Sequence, residues 1–468
     1  MTEAILPLEQ ATGRRARRCA VAALCAVQFV DVLGATLVTA ALPTMLVDLD
    51  APASAATPVV TGYAVLFGAL LMLGARLGDR YGHARVLQIG VVAFGVASLA
   101  AATAPSVAVL AAARGALGAA AAASVPSALR LLTAAAPRGT ARQRALAAWS
   151  ATGAAAGATG LVLGGVLTDL AGWRALFWVN VPLSLLLALA VRRTAPTTPR
   201  PRNGSLDVPG ALLLTGAVAA VVTGAALLEG GPHRSTGVGA ILAGVAVAAL
   251  LPRVERRATD PLLPPAALRS RDLRAGSFAS FANTATTSSA VTLATLHLQQ
   301  VEGFSATAAG LALVPFSVCV IVGAALAARV LRRTPTRRAA SLGLGIISVG
   351  NTALLAAPFA PWTVSVAVGV SGLGIGLSSV AATSLGTDVE PGLQGTAAGA
   401  VNTAAQLGTA LGVAAILLVA RATEDAPLPL AGTALGWLAA SAAATVAAVL
   451  LLRRTHPAEA LRTRTVGR

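Results

Sequence analysis

The chain has 468 residues, 56% of them hydrophobic and only 11% charged, with a mean hydropathy of +0.76. That is too little charge to cover a water-exposed surface of this size, so an ordinary soluble globular protein is excluded and a bilayer is implied. A net charge of +17 would point to nucleic acid in a soluble chain, but aromatics are 3% and the basic residues, all arginine, lie between hydrophobic blocks, so membrane lipid is the expected partner and nucleic acid is not.

A helix crosses the hydrocarbon with about 20 mostly apolar residues, within about 17 to 25, and fourteen runs of this kind follow one another along the chain. Residues 1–18 form a basic arm carrying Arg14, Arg15, Arg17 and Arg18. No small-residue cleavage site follows the first apolar run, so the first helix is expected to stay in place. Runs at 19–42, 58–77, 86–103, 107–132, 145–167 and 175–191 make an N-terminal six-helix bundle over 19–191. A linker, 192–275, holds two inserted runs at 208–228 and 236–251, the latter the shortest of all. Runs at 276–298, 308–331, 339–357, 362–385, 395–419 and 430–452 make a C-terminal six-helix bundle over 276–452, and 453–468 is a tail. The expected fold class is an all-α integral membrane protein with fourteen transmembrane helices; without the inserted pair it would have twelve, in the same orientation.

With the N-terminus inside, 31 of the 35 arginines fall on the cytoplasmic side, only Arg174, Arg234 and Arg421 fall outside, and Arg114 lies within a helix. The positive-inside rule therefore puts both termini in the cytoplasm of a multi-pass bacterial cell-membrane protein. Cys19, Cys25 and Cys319 show no metal or disulfide spacing and read as small buried hydrophobes. The fifth run carries Gly153, Gly157, Gly160, Gly164 and Gly165, a spacing that lets backbones approach closely in lipid.

The stretch that ends the second helix, Ala75 to Arg85, has a degraded counterpart in Ala328 to Arg338 at the end of the tenth. The offset from Asp79 to Arg332 is 253 residues and that from Cys19 to Gly276 is 257, as six helices, an inserted pair and six more helices require. Duplicated halves of this kind place a binding cavity at the midplane between two bundles.

The motifs along these helices resemble those of the major facilitator superfamily and, within it, the fourteen-helix drug:proton antiporter family. Gly78-Asp79-Arg80-Tyr81-Gly82 resembles the signature between helices two and three, and Arg114-Gly115-Ala116-Leu117-Gly118 that of helix four. Gly160 to Gly165 resembles the antiporter signature of helix five, and Trp173 to Pro182 the segment after it. Leu298-Gln299-Gln300 with Pro315, and Asn402 to Gly412, resemble signatures of the second half. The sequence departs from the pattern where Leu161 replaces a proline, Gly34 an aspartate and Thr39 an asparagine. The resemblance implies a major facilitator fold, alternating access, and a conformational gate formed by Asp79, Arg80, Gly82 and Arg85.

Asp31 is the one acidic side chain well inside an apolar run, where an ionised carboxylate is costly and such residues usually serve ion or proton pathways. It lies one helical turn before Gly34, on a similar face, so a displaced proton carrier is physically reasonable. The plainer alternative is a hydrogen-bonded interior group or one near the headgroups. Arg114 must likewise find a carboxylate, carbonyls or a wet cavity. It is expected to face the first helix and couple to Asp31, the alternative being a lock between helices. Asn283, Asn402 and Gln406 are candidate cavity-lining residues, with Asn402 and Gln406 four apart on one face. Asn351 and His297 are polar residues in or near spans, the histidine near the outer end of the ninth.

No GxxxxGK[ST] loop, HExxH or Cys/His cluster is present, so no enzyme chemistry and no cofactor are expected. An ion gradient then supplies the energy. The expected function is proton-coupled export of small amphipathic compounds, such as a drug, an antibiotic or a secondary metabolite. The alternatives are an uncoupled facilitator or nutrient transporter of the same fold, or a non-transporting membrane sensor or enzyme.

Overall fold

A computed structural model describes residues 5–52, 55–136, 140–194, 208–229, 234–257, 269–360, 362–389, 394–422 and 432–453. The tail beyond 453 lies outside the described residues. Fourteen long helices account for nearly all of this chain. The first eight are α1 (Ile5–Asp48), α2 (Ala56–Tyr81), α3 (His83–Ala102), α4 (Val107–Ala135), α5 (Thr140–Ala171), α6 (Ala175–Thr194), α7 (Val208–Glu229) and α8 (Arg234–Glu255). The remaining six are α9 (Arg271–Leu296), α10 (Ala306–Leu331), α11 (Thr336–Ala353), α12 (Trp362–Gly386), α13 (Gln394–Ala422) and α14 (Thr433–Arg453). A π-helical turn, His297–Val301, continues α9, and a 3-10 turn, Leu354–Phe359, continues α11.

Local chemistry sets several helix ends. Ser106, Ser270 and Ser305 are N-caps whose hydroxyls accept the amides of Val109, Leu273 and Ala308, satisfying donors that a helix start leaves open. Gly82, at φ +92°, turns the chain from α2 into α3, a conformation that a side chain would strain.

The helices pack as two six-helix bundles plus the inserted pair. In the first bundle α1 packs on α4, α5 and α6, α4 on α2 and α3, and α3 on α6. The second repeats the pattern: α9 packs on α12, α13 and α14, α12 on α10 and α11, and α11 on α14. Between bundles, α5 meets α10 and α2 meets α13, the same two positions exchanged. The inserted hairpin pairs α7 with α8 and rests α7 on the α2–α13 seam.

Eleven of these helices are long and apolar enough to cross a membrane. Helix α8, which contains the shortest apolar run in the sequence, is one of them: its span is 20 residues and only 11% of its apolar stretch is buried. Helix α9 is not, although the sequence reads it as a crossing: nine of its 26 residues are Ser or Thr. These hydroxyls bond to carbonyls one turn back, as Thr286 does to Ala282 at 2.8 Å and Thr295 to Val291 at 3.0 Å. A helix enclosed by protein need not be apolar, and α9 is buried along most of its last three turns. Helices α5 and α7 have shorter apolar stretches, Ala155–Ala171 and Leu212–Gly224. The cysteines depart from the buried reading: Cys25 is buried, Cys319 half-buried and Cys19 exposed.

Candidate functional site

A cavity of about 290 Å³ lies between the bundles, near the lower end of the usual range for ligand sites, about 300–1,000 Å³. Its N-terminal wall includes Asp31, Thr36, Tyr63, Phe67 and Arg114, and its C-terminal wall Ser288, Thr292, Phe316, Ser317, Gln406 and Thr409. All the charge is on the first wall. The second offers hydroxyls, one amide and an aromatic ring.

Asp31 is 7% exposed, and one oxygen, Oδ1, accepts a hydrogen bond from the Tyr63 hydroxyl of α2. Arg114 of α4, 1% exposed, does not pair with that carboxylate directly. Its Nη1 donates to the Gly34 carbonyl of α1 at 2.9 Å and its Nε to the Val59 carbonyl of α2 at 3.3 Å. The guanidinium stacks 4.9 Å from the Tyr63 ring centroid, a cation–π contact. Tyr63 therefore stands between the two charges, its edge on the acid and its face on the base. This residue escapes sequence reasoning; its sole signal is rarity, since the chain has two tyrosines.

The glycines of α5 face two partners. A Cβ at Gly153 would lie 3.2 Å from Gln28 Nε2, and one at Gly164 2.7 Å from the Leu37 carbonyl; Gly160 abuts Thr36, so these three serve α1. Gly157 lines the cavity 3.7 Å from Ser317 Oγ, and Gly165 presses on Ala306 and Thr307 at the start of α10. At the same level Asp169 accepts the Thr307 amide at 2.9 Å, and Gln299 Nε2 donates to the Ala40 carbonyl at 2.6 Å. The bundles are thus closed together at this end, where Asp48 also binds Trp173 and Arg174.

At the other end, Asp79 is half-exposed and bonds His83 Nε2 at 3.2 Å, one turn on. Arg80 lies 5.5 Å from the Tyr81 ring centroid, and Arg85 is exposed. In the second bundle the matching loop uses Arg337, which pairs with Asp272 at the start of α9 at 2.7 Å.

Among the other polar candidates, only Gln406 reaches the cavity. Asn283 donates to Ser378 at 3.3 Å and packs on α12, Asn351 bonds Ser371 and Thr286, and Asn402 is exposed. His297 is buried against Trp437, 5.4 Å between ring centroids, with Glu302 3.4 Å from its Nε2.

The sequence matches the Major Facilitator Superfamily over residues 24–413. It is 34% identical over 426 residues to the puromycin resistance protein pur8 of Streptomyces alboniger, covering 87% of this chain and 82% of the other. It is 33% identical to a lincomycin resistance protein of Streptomyces lincolnensis over 72% of this chain and 70% of that one. A methylenomycin A resistance protein of Streptomyces coelicolor is 34% identical over 84% and 83%. Among solved structures, the human organic anion transporter MFSD10 is similar with a TM-score of 0.65 at 16% identity, covering 93% of this chain and 99% of the other. A peptide transporter POT in complex with alafosfalin gives 0.68 at 15% identity over 92% and 93%.

Proposed function

Because the chain belongs to the major facilitator superfamily, we propose that it is a proton-coupled antiporter that exports small amphipathic compounds from a bacterial cell by alternating access. Its relatives include proteins of puromycin, lincomycin and methylenomycin A resistance, which supports outward transport of compounds of that size and character. The observation that carries the proton half of the reading is the buried Asp31 carboxylate, held by Tyr63 and open to the cavity between the bundles.

In this reading Asp31 is neutral when it carries a proton and anionic when it has given it up. Arg114 is held by two main-chain carbonyls and stays in place in both states. Cargo and proton then compete for one site: a cationic or hydrogen-bonding cargo group stabilises the anion, and protonation releases it. The proton gradient drives the exchange, since one charge moving through 100 mV is worth about 2.3 kcal/mol, roughly fiftyfold at equilibrium. The closed end, bearing Gly165, Asp169 and Asp48, is assigned to the outside, and the Asp79 loop, with both chain termini, to the cytoplasm, in accord with the arginine distribution. There Asp79 with His83, next to the Gly82 turn, Arg80 and Arg85, forms the gate that changes partners as the bundles rock. The division into bundles at 19–191 and 276–452 around the linker 192–275 supplies the two rocking bodies.

The test uses inverted membrane vesicles, with puromycin as the cargo probe. Adding puromycin to energised vesicles is expected to release protons from wild type and not from Asp31→Asn. Puromycin uptake without proton movement in wild type, or full coupled exchange by Asp31→Asn, refutes the reading.

A further inference from the structure

Asp31 lines two cavities and is the sole residue common to both. The first is the chamber between the bundles. The second, of about 20 Å³, lies behind the carboxylate inside the N-terminal bundle, where α1, α3, α4 and α6 meet. About 10–15 Å³ suffices for one water, so this space takes a single water and no organic molecule. Its apolar lining includes Val91 and Phe94, and its polar lining is Asp31, Ser124 and Ser184.

The polar groups suit a water. Ser184 Oγ is 2% exposed as a residue and has no hydrogen-bond partner. Ser124 Oγ donates to the Ala120 carbonyl at 2.9 Å, which leaves its oxygen able to accept. With the carboxylate these make three partners, the usual number for a buried water. Two more orphaned atoms extend the line. Asn180 Oδ1, one turn from Ser184 on the same face of α6, and Ser98 Oγ of α3 are buried and unpartnered. Both lie toward the end where Arg174 reaches Asp48 and the Ala104 carbonyl. Buried polar atoms left without protein partners are the positions that ordered water normally satisfies.

We propose that this is a water site through which Asp31 receives its proton from the Asp48 end of the N-terminal bundle, on the side of the carboxylate turned away from the cargo chamber. The inference rests on the reading of Asp31 as proton carrier. An arriving proton joins the water, which passes a proton to Oδ2 while Oδ1 keeps the Tyr63 hydrogen bond. One O–H bond forms at the acid and one breaks at the hydronium, and the negative charge of the carboxylate is cancelled. Tyr63 from α2 and Arg114 from α4 are the titratable groups that act on Asp31. Among the described residues α3, α5, α6, α9 and α10 bring no charged side chain to it. Proton and cargo thereby approach one group from opposite sides, and a filled chamber does not shut the proton out.

Infrared difference spectroscopy of the full-length protein in lipid tests this. The band of protonated Asp31 is identified by its loss in Asp31→Asn, and its rate of hydrogen–deuterium exchange is then followed. Filling the chamber with Thr292→Trp is expected to leave exchange as fast as in wild type. Adding Ser184→Val slows it about tenfold, the factor that corresponds to about 1.4 kcal/mol for one lost hydrogen bond. Ser184→Thr, of the same size with the hydroxyl kept, remains fast. Exchange stopped by Thr292→Trp alone, or equal rates for the Val and Thr variants, overturns the water site. Should the branched variants fail to fold, Ser184→Ala is expected to slow exchange as well, and an unchanged rate there overturns the proposal. Coupled transport persisting in Asp31→Asn would remove the proton-carrier reading itself, whereas the Ser184 results bear on the water site alone.

Discussion

At Gly165 the two bundles touch through their main chains. A Cβ added there runs into the Ala306 carbonyl and stands 2.6 Å from Thr307 Cα. Both neighbours are backbone at the start of α10, so nothing can rotate aside. Ordinary contact begins at 3.4 Å, and the difference of 3.4 and 2.6 Å requires α5 and α10 to move apart by about 0.8 Å. Overpacking of this kind costs about 1–3 kcal/mol, and here it also stretches the 2.9 Å bond from the Thr307 amide to Asp169, one turn on. Because the cost exists only while this seam is closed, Gly165→Ala is expected to shift the balance of conformations about 5- to 150-fold toward the state in which the seam is open. Gly164→Ala is the informative contrast. Its Cβ would meet the Leu37 carbonyl at 2.7 Å and Leu37 Cα at 3.2 Å, inside one bundle. That clash persists in every conformation, so it lowers Tm without opening the seam. Gly345→Ala, with nothing within 4 Å, is the neutral control. Spin labels at Leu170 and Val301, which are 81% and 66% exposed on opposite sides of the seam, report the separation by pulsed electron resonance in a background with the three cysteines replaced. An unchanged distance distribution in Gly165→Ala, or one that moves no more than in Gly164→Ala, refutes the reasoning.

Arg114→Lys keeps the charge but loses the planar fork that reaches Val59 and Gly34 together. Losing one buried hydrogen bond of a charged group costs about 1.5–3 kcal/mol, so transport in proteoliposomes is expected to fall at least tenfold at normal expression; a wild-type rate contradicts the bridging role. Gly82→Ala meets no atom within 4 Å, so its cost is the backbone alone at φ +92°. A conformation so nearly reserved for glycine costs about 1–3 kcal/mol, expected as a lower Tm in a thermal melt, and an unchanged Tm would show that the turn relaxes freely.

The fourteen helices are legible in the sequence because hydropathy measures contact with lipid. For the same reason hydropathy misjudges depth. It favours α8, a peripheral helix that must be apolar, over α9, whose Ser and Thr are tolerated because protein surrounds them. Asp31 and Arg114 stand out because a charge in an apolar run has few tolerable explanations. Tyr63 does not, since a tyrosine suits an interface, a core or a site equally well. The glycine row of α5 shows close packing, but spacing alone cannot say that alternate members face α1 and α10. At the Asp79 loop, the partner expected from nearby arginines is His83, because a four-residue spacing across the α2–α3 turn brings the imidazole back onto the carboxylate.

The position of the carboxylate in α1 has a consequence for its chemistry. Gly34 occupies the place where the resemblance implies an aspartate, and a Cβ there would lie 3.0 Å from the Phe94 ring and 3.8 Å from Asn180 Nδ2. Phe94 also lines the small cavity behind Asp31. An acid one turn earlier therefore keeps the same wall of α3 and α6 while gaining Tyr63, and it leaves the Gly34 carbonyl to Arg114. A direct ion pair would tie the two charges together, so that protonating the acid would strand a buried guanidinium, at a cost of several kcal/mol. Here the guanidinium rests on carbonyls and an aromatic face, none of which changes charge. The carboxylate is thus able to gain or lose a proton without dismantling the anchor beside it, a condition that any repeating exchange cycle at this site must meet.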